Sequence, residues 1–192
     1  GREFSRAGRL EDAERHYRAA IEAAPKDWSA HYLLGILRHR QSRYQEALEH
    51  MGKALELAPD NALIFRNMGG SHHMLGKYAD AAAAFQRSLE IAPSAVGYGN
   101  LGTLRFFEGK YEETAKLFEK AIQLGANSYA NWGNMADAYR WIPGREKQAT
   151  EAYDTAIRLA RERAAAHPED VTAHSSLATY LAKTGNCAES LN

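Results

Sequence analysis

A single cysteine, Cys187, stands among 192 residues, so no internal disulfide can form and the fold must hold by burial alone. Net charge is lacking too. The 24 Lys and Arg cancel the 24 Asp and Glu, which removes any general pull towards nucleic acid or an anionic membrane. The apolar runs are too short to span a bilayer. The opening GREFSRAGRLEDAERHY carries no hydrophobic stretch of a signal peptide. The five prolines are widely spaced and no segment is low in complexity. No Ser-His-Asp set, paired catalytic carboxylates or phosphate loop stands out, so neither catalysis nor a cofactor is expected within this chain.

What is present is a period. Pro25, Pro59 and Pro93 are 34 residues apart, and Ala13, Ala47 and Ala81 keep the same step, as do Tyr17, Met51 and Phe85. Leu34-Gly35 returns as Met68-Gly69, Leu101-Gly102, Met135-Ala136 and Leu177-Ala178. Each repeat reads as two amphipathic helices: His31, Leu34, Gly35 and Arg38 mark one face, and Tyr44, Ala47, Met51 and Ala54 another. Between them glycine is expected in a left-handed turn at Gly8, Gly76, Gly109 and Gly185. Ser42 and Pro143 occupy that place in the second and fifth repeats, so those turns are expected to differ. Proline then closes the second helix.

AHYLLGILRHRQSRYQEALEHMGKALELAPD and LIFRNMGGSHHMLGKYADAAAAFQRSLEIAP carry Leu-Gly, Gly-x-Tyr, Ala, aromatic, Ala and Pro in one register. In this the chain resembles the tetratricopeptide repeat family over essentially its whole length. The resemblance implies an all-α, right-handed superhelical solenoid of antiparallel helix pairs, with first helices lining a concave groove. The expected repeats are 1–27, 28–61, 62–94, 95–128, 129–170 and 171–192. The first and last are partial, as in a fragment of a longer chain, so the compartment stays open, with a cytoplasmic one favoured. The fifth is expected to have a second helix of roughly six turns, because AIRLARERAAAHPED runs past the usual stop.

The stretch GYGNLG at 97–102 has the spacing of a dinucleotide loop, but it lies inside a first helix with no strand before it. Gly102 reads as the small residue that lets paired helices close up. Gly99 and Gly133 share position five, on the side away from the core, where a missing side chain gives a ligand backbone access.

The groove side holds the candidate binding residues. Asn67, Asn100 and Asn134 share position six. Asparagine is a poor helix former, but its amide both donates and accepts, so a row of them matches an extended peptide backbone. The row resembles the asparagine ladder of the tetratricopeptide arrays of O-linked N-acetylglucosamine transferases. Arg2, Arg6, Arg40, Arg66, Arg140 and Lys183 face the same way, against only Asp137. Tyr32, Ile36, Phe106, Phe107 and Trp141 add apolar surface, with His73 and Thr103 beside them. Basic and aromatic residues together suit a protein or peptide partner with acidic and apolar residues. The chaperone-tail clamp of some family members is not matched, since Arg66 is followed by Gly70 and position two holds Ser29, Leu63, Val96 and Ala130. His39 and His73 share position twelve but lack a third ligand, so no metal is expected. Arg38, His72 and Arg105 at position eleven are expected to bond between helices. The reading is a non-catalytic protein-interaction scaffold. The alternative is an oligomerisation or spacer module of a larger signalling enzyme or glycosyltransferase, self-associating through end residues Phe4, Leu10, Leu177 and Leu181.

Overall fold

The computed structural model describes residues 2–186, with side chains from Arg9 onward. The side chains of Arg2, Phe4 and Arg6, and the whole of Cys187, lie outside the described residues. Ten helices and no strand occur among those described, and none of these helices is long and apolar enough to cross a membrane. The chain divides into two compact units, Gly1–Pro93 and Ser94–Asn192.

The N-terminal unit holds α1 (Arg2–Ala23), α2 (Trp28–Arg40), α3 (Tyr44–Leu57), α4 (Ala62–Met74) and α5 (Tyr78–Ile91). The C-terminal unit holds α6 (Ala95–Phe107), α7 (Tyr111–Gln123), α8 (Tyr129–Arg140), α9 (Glu146–Ala166) and α10 (Val171–Lys183). Every first helix of a pair starts on a side-chain cap. Asp27, Asn61, Ser94, Ser128 and Asp170 accept from N–H groups of α2, α4, α6, α8 and α10 in turn. The second helices have no side-chain cap.

Each of these second helices follows a residue of left-handed φ. At Gly76, φ +72°, the Gly76 N–H donates to the His73 carbonyl and the Lys77 N–H to the His72 carbonyl, both at 2.9 Å. This is a Schellman turn. Gly109 and Gly185 adopt the same φ region. Ser42 does so as well, at φ 60°, with Ser42 and Arg43 donating to His39 and Arg38 at 2.9 Å. The expectation of a different turn there is corrected: the packing of α2 on α3 dictates the turn, and serine bears the strain, about 1–2 kcal/mol for a residue with a Cβ. Ser42→Gly should therefore raise the unfolding free energy by a net ~0.5–1 kcal/mol, seen as a higher urea midpoint, after the extra unfolded-state freedom of glycine is deducted. Gly76→Ser should lower it by a similar amount. A lower midpoint for Ser42→Gly would refute this account. The fifth-repeat turn does differ: Gly144 takes the positive φ, one residue beyond Pro143.

Helix α1 corrects a second expectation. It runs unbroken through Gly8, where a turn was foreseen. Helix-favouring residues on both sides outweigh the roughly 1 kcal/mol that one glycine costs. Helix α9 has 21 residues against 14, 14 and 13 in α3, α5 and α7. Its buried stripe Ala149, Ala152, Tyr153, Ala156, Ala160 and Ala164 continues at helical spacing almost to the last turn.

Small residues set the pair distance. A Cβ on Gly69 would stand 2.6 Å from the Phe85 ring, so only glycine lets α4 and α5 approach this closely. Of the position-eleven residues, Arg38 and Arg105 bond between helices; the His72 Nδ1 makes no hydrogen bond among the described residues and lies 3.8 Å from the Asp80 carboxylate of α5. Arg38 meets Glu14 of α1 at 2.5 and 2.8 Å, and Arg105 meets Glu113 of α7 at 2.9 Å. At the far end, Leu181 is buried in the core of the C-terminal unit and Leu177 packs against it. They do not form the open apolar face on which self-association was expected, because the long α9 gives α10 a surface to pack on. Leu10 is half-buried.

Candidate peptide-binding groove

In the N-terminal unit the candidates lie on α2 and α4. The Asn67 amide donates to the Tyr32 hydroxyl at 3.0 Å and to the Leu63 carbonyl at 2.8 Å. Its donors are therefore committed to the fold, and burial holds the Tyr32 phenol above its ordinary pKa. Arg40 is exposed and Arg66 half-buried. Neither forms an ion pair among the described residues.

His39 and His73 have packing roles. His39 lies edge-on to Tyr44 at 5.2 Å and His73 to Tyr78 at 5.6 Å. Phe106 does the same to Tyr111, at 5.4 Å. Position twelve thus supplies a ring for the aromatic that opens the next helix. The His39 Nδ1 is also bonded to the Ser71 hydroxyl at 2.9 Å, while that hydroxyl donates to the Asn67 carbonyl at 3.1 Å.

In the C-terminal unit α6 and α8 frame an open trough. One part, about 200 Å³, is lined by Thr103, Phe106, Phe107, Phe118, Asn134 and Asp137. A second, about 260 Å³, shares Thr103, Phe118 and Asn134 and extends to Gly99, Asn100 and Asn131. The shared residues make it one continuous groove with Phe118, 1% exposed, as its floor. The Thr103 hydroxyl donates to the Gly99 carbonyl at 3.0 Å, and the Asn131 amide to the Ala126 carbonyl at 2.8 Å. The side chains of Asn100 and Asn134 have no hydrogen-bond partner among the described residues. Gly99 explains part of this. It stands 35 residues before Asn134, as Tyr32 stands before Asn67, and glycine has no group with which to hold the amide. A Cβ on Gly99 would meet only Asn131 Oδ1, at 3.7 Å.

Three other residues read as groove wall are placed differently. Lys183 reaches the Asp137 carboxylate at 2.5 and 2.7 Å, so its charge is cancelled. Asp137 also accepts from the Tyr153 hydroxyl. Burial, then this bond, raise the Tyr153 phenol pKa. Gly133 gives a ligand no access, because the Tyr180 ring of α10 occupies the space a Cβ would need. Trp141 stacks on Tyr111 at 5.6 Å and 16°. Arg140 remains exposed. Tyr153 stands two repeat steps after Phe85, but its partner and that of Tyr180 escaped the sequence reading, since they lie 16 and 47 residues away on other helices.

Capped helix pairs at a step of about 34 residues, closed by Schellman turns and meeting through glycine, define an all-α helical-repeat solenoid. The chain belongs to the tetratricopeptide repeat family: the family's model matches residues 1–62 and 40–96, together half of the 192. Solved structures agree in fold. MamA from Desulfovibrio magneticus RS-1 is similar over 84% of this chain and 91% of its own, at 21% identity and a TM-score of 0.72. YrrB, a TPR protein with an unusual peptide-binding site, is similar over 91% of this chain and 87% of its own, at 18% identity and a TM-score of 0.69. A chain of the APC/C hetero-tetramer Cut9-Hcn1 aligns with 93% of this chain but over 34% of its own length, at 18% identity and a TM-score of 0.72. No curated protein sequence matches the chain significantly.

Proposed function

We propose that this chain is a protein-interaction scaffold that holds an extended partner segment along the α6–α8 groove of its C-terminal unit. The observation that carries this is the pair Asn100 and Asn134, two half-buried amides on one open groove with no hydrogen-bond partner among the described residues. Groups placed so offer a donor and an acceptor to a backbone that has not satisfied its own. A helical ligand has satisfied its backbone internally, so an extended one fits better. The peptide-binding site of YrrB and the assembly of Cut9 with Hcn1 are properties of those proteins, and they support the same class of role here. The alternative of an oligomerisation module loses support from the burial of Leu181.

Asn100→Ala with Asn134→Ala tests the reading directly, scored on a peptide isolated by display selection against the whole protein. Affinity should fall while the helical signal and midpoint hold. Full affinity in the folded variant would overturn it.

In the N-terminal unit, Arg40 and Arg66 form no ion pair among the described residues and suit acidic residues of a partner. Binding of such a peptide should weaken as salt rises, because charges at an open surface are screened within about 8–10 Å at physiological strength. Replacing Arg40 and Arg66 by alanine should cost about 0.5–1 kcal/mol each at low salt and flatten that dependence. A peptide whose affinity ignores both salt and these substitutions would remove the acidic preference and leave the groove reading standing.

A further inference from the structure

The Phe107 end of the C-terminal groove differs in character from the rest. Phe107 is 73% exposed and touches Phe106 edge-on at 6.1 Å. Beneath them lies the Phe118 floor, and opposite stand Asn134 and Asp137. The charges around this end are cancelled. Asp137 is neutralised by Lys183 at 2.5 Å. Arg105 is held by Glu108 and Glu113 at 2.8 and 2.9 Å, and Lys110 by Glu108 at 2.8 Å. The hollow holds about 200 Å³, room for one large side chain and too little for a helix, which is about 10 Å across.

We infer that this hollow is an anchor pocket for a single bulky, uncharged apolar side chain of the leucine or phenylalanine class, carried by an extended segment whose backbone amides lie on Asn134 and Asn100. The inference rests on the groove reading and adds the partner chemistry that this half of the chain selects. A charged side chain is disfavoured, because a carboxylate entering would meet Asp137 and an ammonium would find Asp137 already taken by Lys183. An apolar side chain loses nothing to these pairs, and it covers Phe106 and Phe107. Asn134 lines both parts of the groove, so the apolar pocket and the polar step adjoin.

N-acetyl-L-phenylalaninamide is a suitable probe because it carries one aromatic side chain between two backbone-type amides. It is titrated into the full isotope-labelled chain and followed by NMR at the side-chain amides of Asn100 and Asn134. Saturable shifts are expected at both, with an affinity in the millimolar range usual for a ligand of this size. The affinity should be unchanged between about 50 and about 500 mM salt. Phe107→Ser, at an exposed position that leaves the core intact, should weaken binding about threefold or more. N-acetyl-L-aspartamide should give no saturable shift. Absence of shifts at these amides with the phenylalanine probe, or equal response to the aspartate probe, overturns the inference. So does full affinity in Phe107→Ser. The outcomes separate from those of the groove reading: a peptide that binds through the amides with no apolar requirement defeats the pocket alone. A probe that binds beside Phe107, combined with a peptide indifferent to loss of the amides, defeats the ladder.

Discussion

Arg38→Ala should destabilise the N-terminal unit by about 2–3 kcal/mol, with the loss concentrated in α1. The Arg38 side chain is 4% exposed. Its guanidinium bonds Glu14 of α1 at 2.5 and 2.8 Å, Gln41 at 2.9 Å, and lies 3.3 Å from Glu46. Removing one partner of a fully buried pair costs about 3–5 kcal/mol, mostly from the charge left behind. Glu14 is 23% exposed and can be partly rehydrated, which brings the expectation below that range. Arg38→Met keeps the stem and should recover part of the loss, separating packing from charge. Hydrogen exchange is the appropriate measurement, because repeat proteins open locally and a single global midpoint can miss a detached terminal helix. Unchanged protection in α1 would refute the assignment.

The same pair has a pH signature. The hydrogen bonds of Arg38, and then of Arg18, hold the Glu14 carboxyl down from its ordinary 4.5 to about 2. A depressed carboxylate contributes stability that is present above the unfolded value and is lost as pH falls through the folded one. Protection in α1 should therefore decline between about pH 5 and about pH 2, and Arg38→Ala should reduce that slope to the part that Arg18 supplies. His31 and His50, stacked at 6.2 Å, are held below their ordinary pKa mainly by burial. They act in the same direction in a separate window that opens below about pH 6.5, where the unfolded chain takes up protons first.

The role of Arg38 was legible because position eleven falls near the core at 100° per residue, where a guanidinium must find partners. The partner Glu14, 24 residues earlier, was not legible, since it depends on how α1 lies on α2. The same division runs through the groove. Three asparagines at one repeat position look alike in the sequence, and the structure separates two of them by what stands 35 residues before: Tyr32 binds Asn67, and Gly99 leaves Asn134 without a hydrogen-bond partner among the described residues. Gly99 and Gly133 also look alike, until Tyr180 arrives from α10 to fill one of them. Periodicity captures what each repeat does for itself. It does not capture what a neighbour of different length does to it, and α9 is the longest of the second helices. Lys183 shows the consequence, since a residue read as a free groove charge is spent on Asp137.

Asn100→Ala with Asn134→Ala is expected to weaken a groove-bound peptide by about 5- to 150-fold. Each lost neutral hydrogen bond is worth about 0.5–1.5 kcal/mol, and at least one bond per amide is removed. Stability should hold or rise, because alanine favours a helix by up to about 0.7 kcal/mol per site and neither amide bonds within the described fold. Asn67 is the internal control. Its amide bonds Tyr32 and Leu63, so Asn67→Ala should lower stability by about 1 kcal/mol and change affinity less than the double variant. A complementary substitution is Gly99→Tyr. The open space at Gly99 accepts a side chain, and a tyrosine there would tie up Asn134 as Tyr32 ties up Asn67 while filling the trough. Loss of binding with an unchanged midpoint in Gly99→Tyr, together with loss in the double alanine variant, places the ligand on the α6–α8 groove. A folded Gly99→Tyr protein that binds the peptide at full strength would place it elsewhere, whatever the amides do.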